Sequence, residues 1–129
     1  MAPDLDLTLI LPRHVREPED LPPDIDVVYT AGVNNNLGKV WFEQRGYPAA
    51  VARIGADIAH VPYWGPPLSV KAPLVVSVLD VIPLVIPDYA ASTGARLYTS
   101  LVTAATRGAA HVITLSNASK KDIVERIGY

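Results

Sequence analysis

The stretch from residue 55 to residue 87, GADIAHVPYWGPPLSVKAPLVVSVLDVIPLVIP, constrains the fold more than any other part of the chain. It holds two short β-rich apolar runs, residues 57–61 and 74–79. Each is followed directly by a polar or aromatic cluster, with prolines and glycines between them. Such runs belong to the strands of a buried parallel sheet. Open α/β proteins bind their ligands at the carboxyl ends of such strands, so the stretch is a candidate site as well as a fold signal.

Composition narrows the function classes. With 129 residues, 50% hydrophobic and 19% charged, the chain is one domain or part of one, able to bury a core. It contains no cysteine, which excludes disulfides and thiolate metal sites and fits a reducing compartment or indifference to redox state. His14, His60 and His111 lie far apart without ligand spacing, so no metal site is expected. The net charge of −2 and the scattered Lys and Arg form no basic stripe, so nucleic acid is not an expected partner. The glycines match no phosphate-binding loop pattern, and a nucleotide site within this chain alone is not expected.

The opening residues MAPDLDLTLILP lack the basic start of a signal peptide. The longest apolar stretch, residues 72–86, is interrupted by Asp80 and Pro83 and is too short for a bilayer core of roughly 30 Å. A soluble cytoplasmic chain is expected, with peripheral attachment to a membrane surface left open.

The patterning alternates between strand and helix. Residues 5–11 and 25–29 read as strands, separated by a loop over 13–23 crowded with charge and proline. The Asn34, Asn35, Asn36 run with Gly38 reads as a solvated turn. Residues 40–44 begin a helix or helical turn, and Pro48 opens a second helix that Gly55 closes. Strands over 57–61 and 74–79 follow. A helix over 94–107 is predicted to bury Leu97, Leu101, Val102 and Ala105. A strand over 111–115 leads to a last helix over 118–127, capped by Ser116 or Asn117 and ended by Gly128. The order is that of an α/β protein.

Two links depart from the usual pattern. Crossovers between parallel strands are nearly always helical, yet residues 12–24 and 62–73 are proline-rich, so antiparallel neighbours or irregular crossovers are expected. The sequence also stops one residue after a helix cap, where a doubly wound domain normally continues, and so reads as a piece of a larger protein.

The segments ADIAHVPYWGPPL, APLVVSVLDVIPLVIPDY, ARLYTSLVTAATRGAAHVITLS and NASKKDIVERIG, in this order and spacing, resemble the N-terminal domain of bacterial group 1 (family 4) glycosyltransferases. The resemblance covers roughly residues 40–129. It implies a Rossmann-like, mostly parallel sheet flanked by helices: half of a GT-B enzyme that transfers sugar from a nucleotide-sugar with retention of configuration. It also implies that the first strand with its glycine-rich loop, and the C-terminal donor-binding domain, lie outside these residues. The family's His-Asp pair after the second strong run is Leu79-Asp80 here, and its Ser-Glu pair is Ser116-Asn117. No cofactor is then expected in this chain, since the nucleotide-sugar would bind the absent domain. The expected partners are a sugar or lipid-linked acceptor and the donor-binding domain or a second chain, with a homo-oligomer also allowed.

A Rossmann-like sheet lacking its central first strand should fall into two half-sheets, to be closed by repacking or by a neighbouring chain.

The resemblance assigns this half the acceptor shelf, with Tyr63, Trp64, Asp80, Ser116 and Asn117 following strand ends and Tyr89 and Arg96 in the loop before the long helix. Each has a structural alternative. Tyr63 and Trp64 can pack over the loop, Asp80 can cap the turn at residues 81–83, and Ser116 and Asn117 can cap a helix. Tyr89 and Arg96 can lie in a solvated loop. His60, inside an apolar strand, reads as a hydrogen-bonded core histidine, and Lys120 and Lys121 sit in the first turn of the last helix. Two other functions stay open: a non-catalytic Rossmann-like interaction module, and a small flavodoxin-like domain binding a nucleotide or phosphorylated ligand at its strand ends.

Overall fold

The computed structural model describes residues 5–129. It is a mixed α/β chain whose short strands lie in two small sheets. Strands β1 (Thr8–Pro12) and β2 (Asp26–Thr30) pair in parallel, with Ile10 opposite Val28. Strands β3 (Ala59–Val61), β4 (Leu74–Ser77) and β5 (His111–Ile113) form the second sheet in that spatial order, again parallel. Val61 stands opposite Val76, and Val76 opposite Val112.

Every pairing is parallel, so the proline-rich links are irregular crossovers and antiparallel neighbours do not occur among the described residues. The first link supports itself by turns in which Pro12, Pro18 and Pro22 carbonyls accept from Val15, Leu21 and Ile25 N–H at 2.9–3.2 Å. Proline lacks an N–H but keeps its carbonyl, which is why such a loop can stay hydrogen-bonded to itself. No ladder joins the two sheets among the described residues, the division expected above.

Between β2 and β3 the chain winds through helix α1 (Asn36–Trp41), a π-helical turn over Phe42–Gly46 and helix α2 (Tyr47–Ile54) without a break. Asn35 opens α1 by accepting from the Gly38 N–H at 2.7 Å, and Gly38 is buried inside the helix. The expected solvated turn is thus a capped helix start, because Asn serves an N-cap as well as a turn. Pro48 lies in the first turn of α2, and Gly55 closes that helix at φ 66, where a β-carbon would be strained.

After β4 come a short helix α3 (Ile82–Val85) and a 3₁₀ turn over Pro87–Ala90, where only a turn was expected. Helix α4 (Thr93–Arg107) follows, capped by Ser92. Its buried residues are Val102, Ala105 and Thr106, while Leu97, expected inside, is 68% exposed. The inward stripe passes through Tyr98 instead, three to four residues per turn before Leu101 and Val102, and Leu97 falls outside it. Helix α5 (Asn117–Ile127) starts at Ser116, whose Oγ accepts from the Ser119 N–H at 3.1 Å, and ends at Gly128 in the left-handed region.

The core lies on one face of the second sheet. Ala59, Val61, Leu74, Val76 and Val78 meet Val51 of α2 and Ile123 and Ile127 of α5. The alternate residues His60, Val75, Ser77, His111 and Ile113 turn away and stay partly or fully exposed. A parallel sheet stepping in one direction, from β3 to β4 to β5, places its right-handed connections on the same side. The other face is left open, so the sheet is buried on one side rather than two. His60 consequently lies at the surface, its Nε2 3.0 Å from the Ser77 Oγ, and not in the core.

Candidate functional site

Because β3, β4 and β5 run parallel, their carboxyl ends share one edge, and the residues that follow them emerge there. Tyr63 and Trp64 follow β3, Asp80 follows β4, and Ser116 and Asn117 follow β5. These side chains have different surroundings. The Trp64 Nε1–H donates to the Thr106 Oγ1 at 3.0 Å, and the Thr106 hydroxyl donates to the Val102 carbonyl at 2.7 Å, so Trp64 pins its loop to α4. Asp80 is exposed and accepts from the Ile82 N–H at 3.0 Å, which starts α3. Ser116 caps α5, and its hydroxyl also meets the Ser119 hydroxyl at 3.1 Å. The Asn117 side chain is exposed and has no hydrogen bond among the described residues. Tyr89 is exposed in the 3₁₀ turn; its backbone N–H donates to the Ile86 carbonyl at 3.1 Å, and its side chain has no hydrogen bond among the described residues. Arg96 reaches back from α4 to the Ala91 carbonyl.

Tyr63 is the best-supported member of the edge. Behind it lies Glu43, only 1% exposed, in the π-helical turn. The Tyr98 hydroxyl of α4 lies 3.0 Å from both oxygens of this carboxyl group. Lys39, one helical turn earlier, sets its Nζ 3.7 Å from Oε1 and 4.6 Å from the centre of the Tyr98 ring, with Tyr63 on its other side at 6.0 Å. Burial raises the Glu43 pKa, and Lys39 and the hydroxyls of Tyr98 and Tyr63 oppose that rise without cancelling it. Both phenols are shifted upward, by burial first and by the neighbouring Glu43 second.

The adjacent Gln44 holds the same loop by two hydrogen bonds, its Nε2 donating to the Pro66 carbonyl at 3.1 Å and its Oε1 accepting from the Leu68 N–H at 2.9 Å. Gly65 lets the loop approach so closely. A β-carbon there would meet the Tyr63 ring and stand 2.5 Å from the Glu43 Oε1. The π-helical turn supplies the alignment: its extra residue, marked by the Tyr47 N–H bonding to the Phe42 carbonyl, lets Glu43 and Gln44 both reach the loop. Single π turns of this kind are frequent at functional sites.

Sequence reasoning passed over Glu43. Its signal was the helical stripe Glu43, Gly46, Tyr47, Ala50, which puts a carboxylate on the face that packs inward. A solvent-sealed carboxyl group cannot reach a ligand. It can hold Tyr63, 38% exposed at the strand edge, in one place. Among the described residues no cluster of His, Asp and Glu could hold a metal ion, and no helix is long and apolar enough to cross a membrane. Comparison with protein-family models, with curated proteins and with solved structures gives no match to this chain.

Proposed function

We propose that the chain is the Rossmann-like, acceptor-side half of a retaining glycosyltransferase of GT-B plan. It would hold a sugar or lipid-linked acceptor while a donor-binding domain outside these 129 residues holds the nucleotide-sugar. The observation that carries this reading is the common carboxyl edge of β3, β4 and β5, with Tyr63, Asp80 and Asn117 following successive parallel strands.

The chemistry suits an acceptor. A retaining transfer needs the acceptor hydroxyl and the departing diphosphate on one face of the donor sugar, held by groups already in position. Tyr63 offers a flat, half-exposed ring for the C–H face of a sugar, and its backing by Glu43, Lys39 and Gly65 keeps it there without reorganisation. Asp80 uses one oxygen for the Ile82 N–H, leaving acceptor capacity for a hydroxyl. The Asn117 amide brings both a donor and an acceptor to the same edge.

The test is a glycan array probed with the chain, combined with a transfer assay using UDP-glucose and GDP-mannose as donors. The chain should retain a subset of glycans, Tyr63→Ala should weaken that retention about tenfold, equivalent to about 1.4 kcal/mol, and the chain alone should transfer no sugar. Transfer by the chain alone, or retention indifferent to both Tyr63→Ala and Asp80→Ala, would overturn the reading.

A further inference from the structure

A second concave surface lies on the far side of the helical run from Glu43. It is a groove of about 1060 Å³ between that run, the carboxyl ends of β1 and β2, and the loop before β4. Trp41, Arg45, Ala49 and Arg53 recur at four-residue intervals, so one stripe of the run forms the floor. Ala49 on this stripe, with Ala50 and Ala52 beside it, keeps the floor low, which leaves room for a ligand. The opposite walls carry Arg13, whose N–H donates to the Thr30 carbonyl at 3.0 Å, and Lys71.

The charge distribution is one-sided. Arg13, Arg45, Arg53 and Lys71 all line the groove, and no Asp or Glu does. None of the four has a carboxylate partner among the described residues, whereas Lys39, Lys121 and Arg126 elsewhere sit 3.7–3.9 Å from carboxylates. The chain has 13 Asp and Glu against 11 Lys and Arg, so four unpaired cations around one hollow do not follow from composition. Like charges gathered in a concave site repel one another and focus a positive potential there, which an anion relieves. Three of the four are arginines, whose planar forks bind phosphoryl oxygens in pairs. Trp41, 46% exposed on the same stripe, sets a flat apolar surface beside the charges. A hollow of this size has room for a phosphoryl group together with the body of the ester that carries it, and the carboxyl ends of β1 and β2 form one wall, as in ligand sites of open α/β proteins.

We propose that this groove binds a phosphate or diphosphate ester through Arg13, Arg45, Arg53 and Lys71. The site is separate from the β3–β5 edge and does not depend on the acceptor reading. Its ligand is either a soluble phosphate ester or a lipid headgroup, which share the phosphoryl chemistry the four cations recognise.

Amide NMR titration of the chain with inorganic pyrophosphate, and co-sedimentation with vesicles of phosphatidylglycerol against phosphatidylcholine, test this directly. Saturable shifts at residues 45–53 and 68–71 are expected with pyrophosphate. The pair Arg45→Gln with Arg53→Gln should weaken them by about tenfold or more, while Lys120→Gln with Lys121→Gln, cations outside the groove, should leave them unchanged. Co-sedimentation with phosphatidylglycerol alone, competed by pyrophosphate, would identify a lipid headgroup. Pyrophosphate binding without it would identify a soluble ester. All these side chains are exposed, so the amide spectrum should show an intact fold, and Lys71→Gln alone provides a milder variant with a smaller loss. Absence of both saturable shifts and headgroup-selective sedimentation, or equal weakening in the Lys120 and Lys121 control, would overturn the proposal.

Discussion

Tyr98 and Glu43, 55 positions apart in sequence, meet with the phenolic oxygen 3.0 Å from each carboxyl oxygen. This contact ties α4 to the π-helical turn and gathers Tyr98, Tyr63 and Lys39 around the buried Glu43 carboxyl group. Such a cluster stabilises only while all its members are present.

Glu43→Ala should therefore destabilise the chain by about 1–3 kcal/mol, because it takes their acceptor from the Tyr98 and Tyr63 hydroxyls, while the half-exposed Lys39 can turn to water. Glu43→Gln, which keeps shape and an acceptor oxygen, should lose less. Urea unfolding followed by circular dichroism measures both, and equal losses would show that shape and a single acceptor oxygen count for nothing and that the charge or the second oxygen carries the whole effect.

Glu43 also gives stability a pH dependence of unusual sign. Its pKa lies above the ordinary 4.5 in the folded chain because of burial, so the folded form holds a proton that the unfolded form has released. Its contribution is greatest below 4.5 and declines as pH rises from there through the folded-state value. The stability difference between wild type and Glu43→Gln, measured from about pH 4 to about pH 7, should shift against the wild type across that window. A flat difference would refute the assignment.

At the alkaline end, Tyr47 is pushed up to about 12 by burial, and its hydroxyl donates to the His60 carbonyl at 3.1 Å. The unfolded chain loses phenolic protons before the folded chain does, so stability should fall from about pH 10 upward. Ultraviolet titration should find Tyr47, Tyr63 and Tyr98 ionising late, and one common transition for all tyrosines would contradict their burial.

Gly65→Ala should destabilise by about 1–3 kcal/mol through overpacking against the Tyr63 ring and Glu43. It should also reduce glycan retention by displacing Tyr63. Gly94→Ala, where a β-carbon meets nothing within 4 Å, serves as the control and should be neutral or mildly stabilising.

Trp64 and Thr106 should show direct coupling. Trp64→Phe and Thr106→Val each remove one side of the 3.0 Å bond, and a double-mutant cycle should yield about 0.5–1.5 kcal/mol of interaction energy. Strict additivity would show the bond to be energetically silent.

Signals written within a few residues were legible in the sequence. Gly55 and Gly128 end helices because only a residue without a β-carbon takes the left-handed conformation cheaply, and Ser116 opens α5 because its short hydroxyl reaches an N–H three residues on. The apolar run around Leu74–Ser77 announced a strand, and the order of elements announced an α/β chain. Even local chemistry was ambiguous where one residue type serves two ends: Asn35 suited a turn and a helix cap equally, and only the surrounding packing selected the cap.

What the chain alone could not state are the relations formed across long separations. Which face of α4 turns inward, and so why Tyr98 rather than Leu97 is used, depends on what the helix lies against. His60 sits at the surface because three parallel strands stepping one way bury a single face of their sheet. The burial of Glu43 and the gathering of Arg13, Arg45, Arg53 and Lys71 around one groove arise only when distant segments meet. Capping and turn preferences act over one helical turn and are encoded where they act. Desolvation and electrostatic field are sums over neighbours that folding alone brings together.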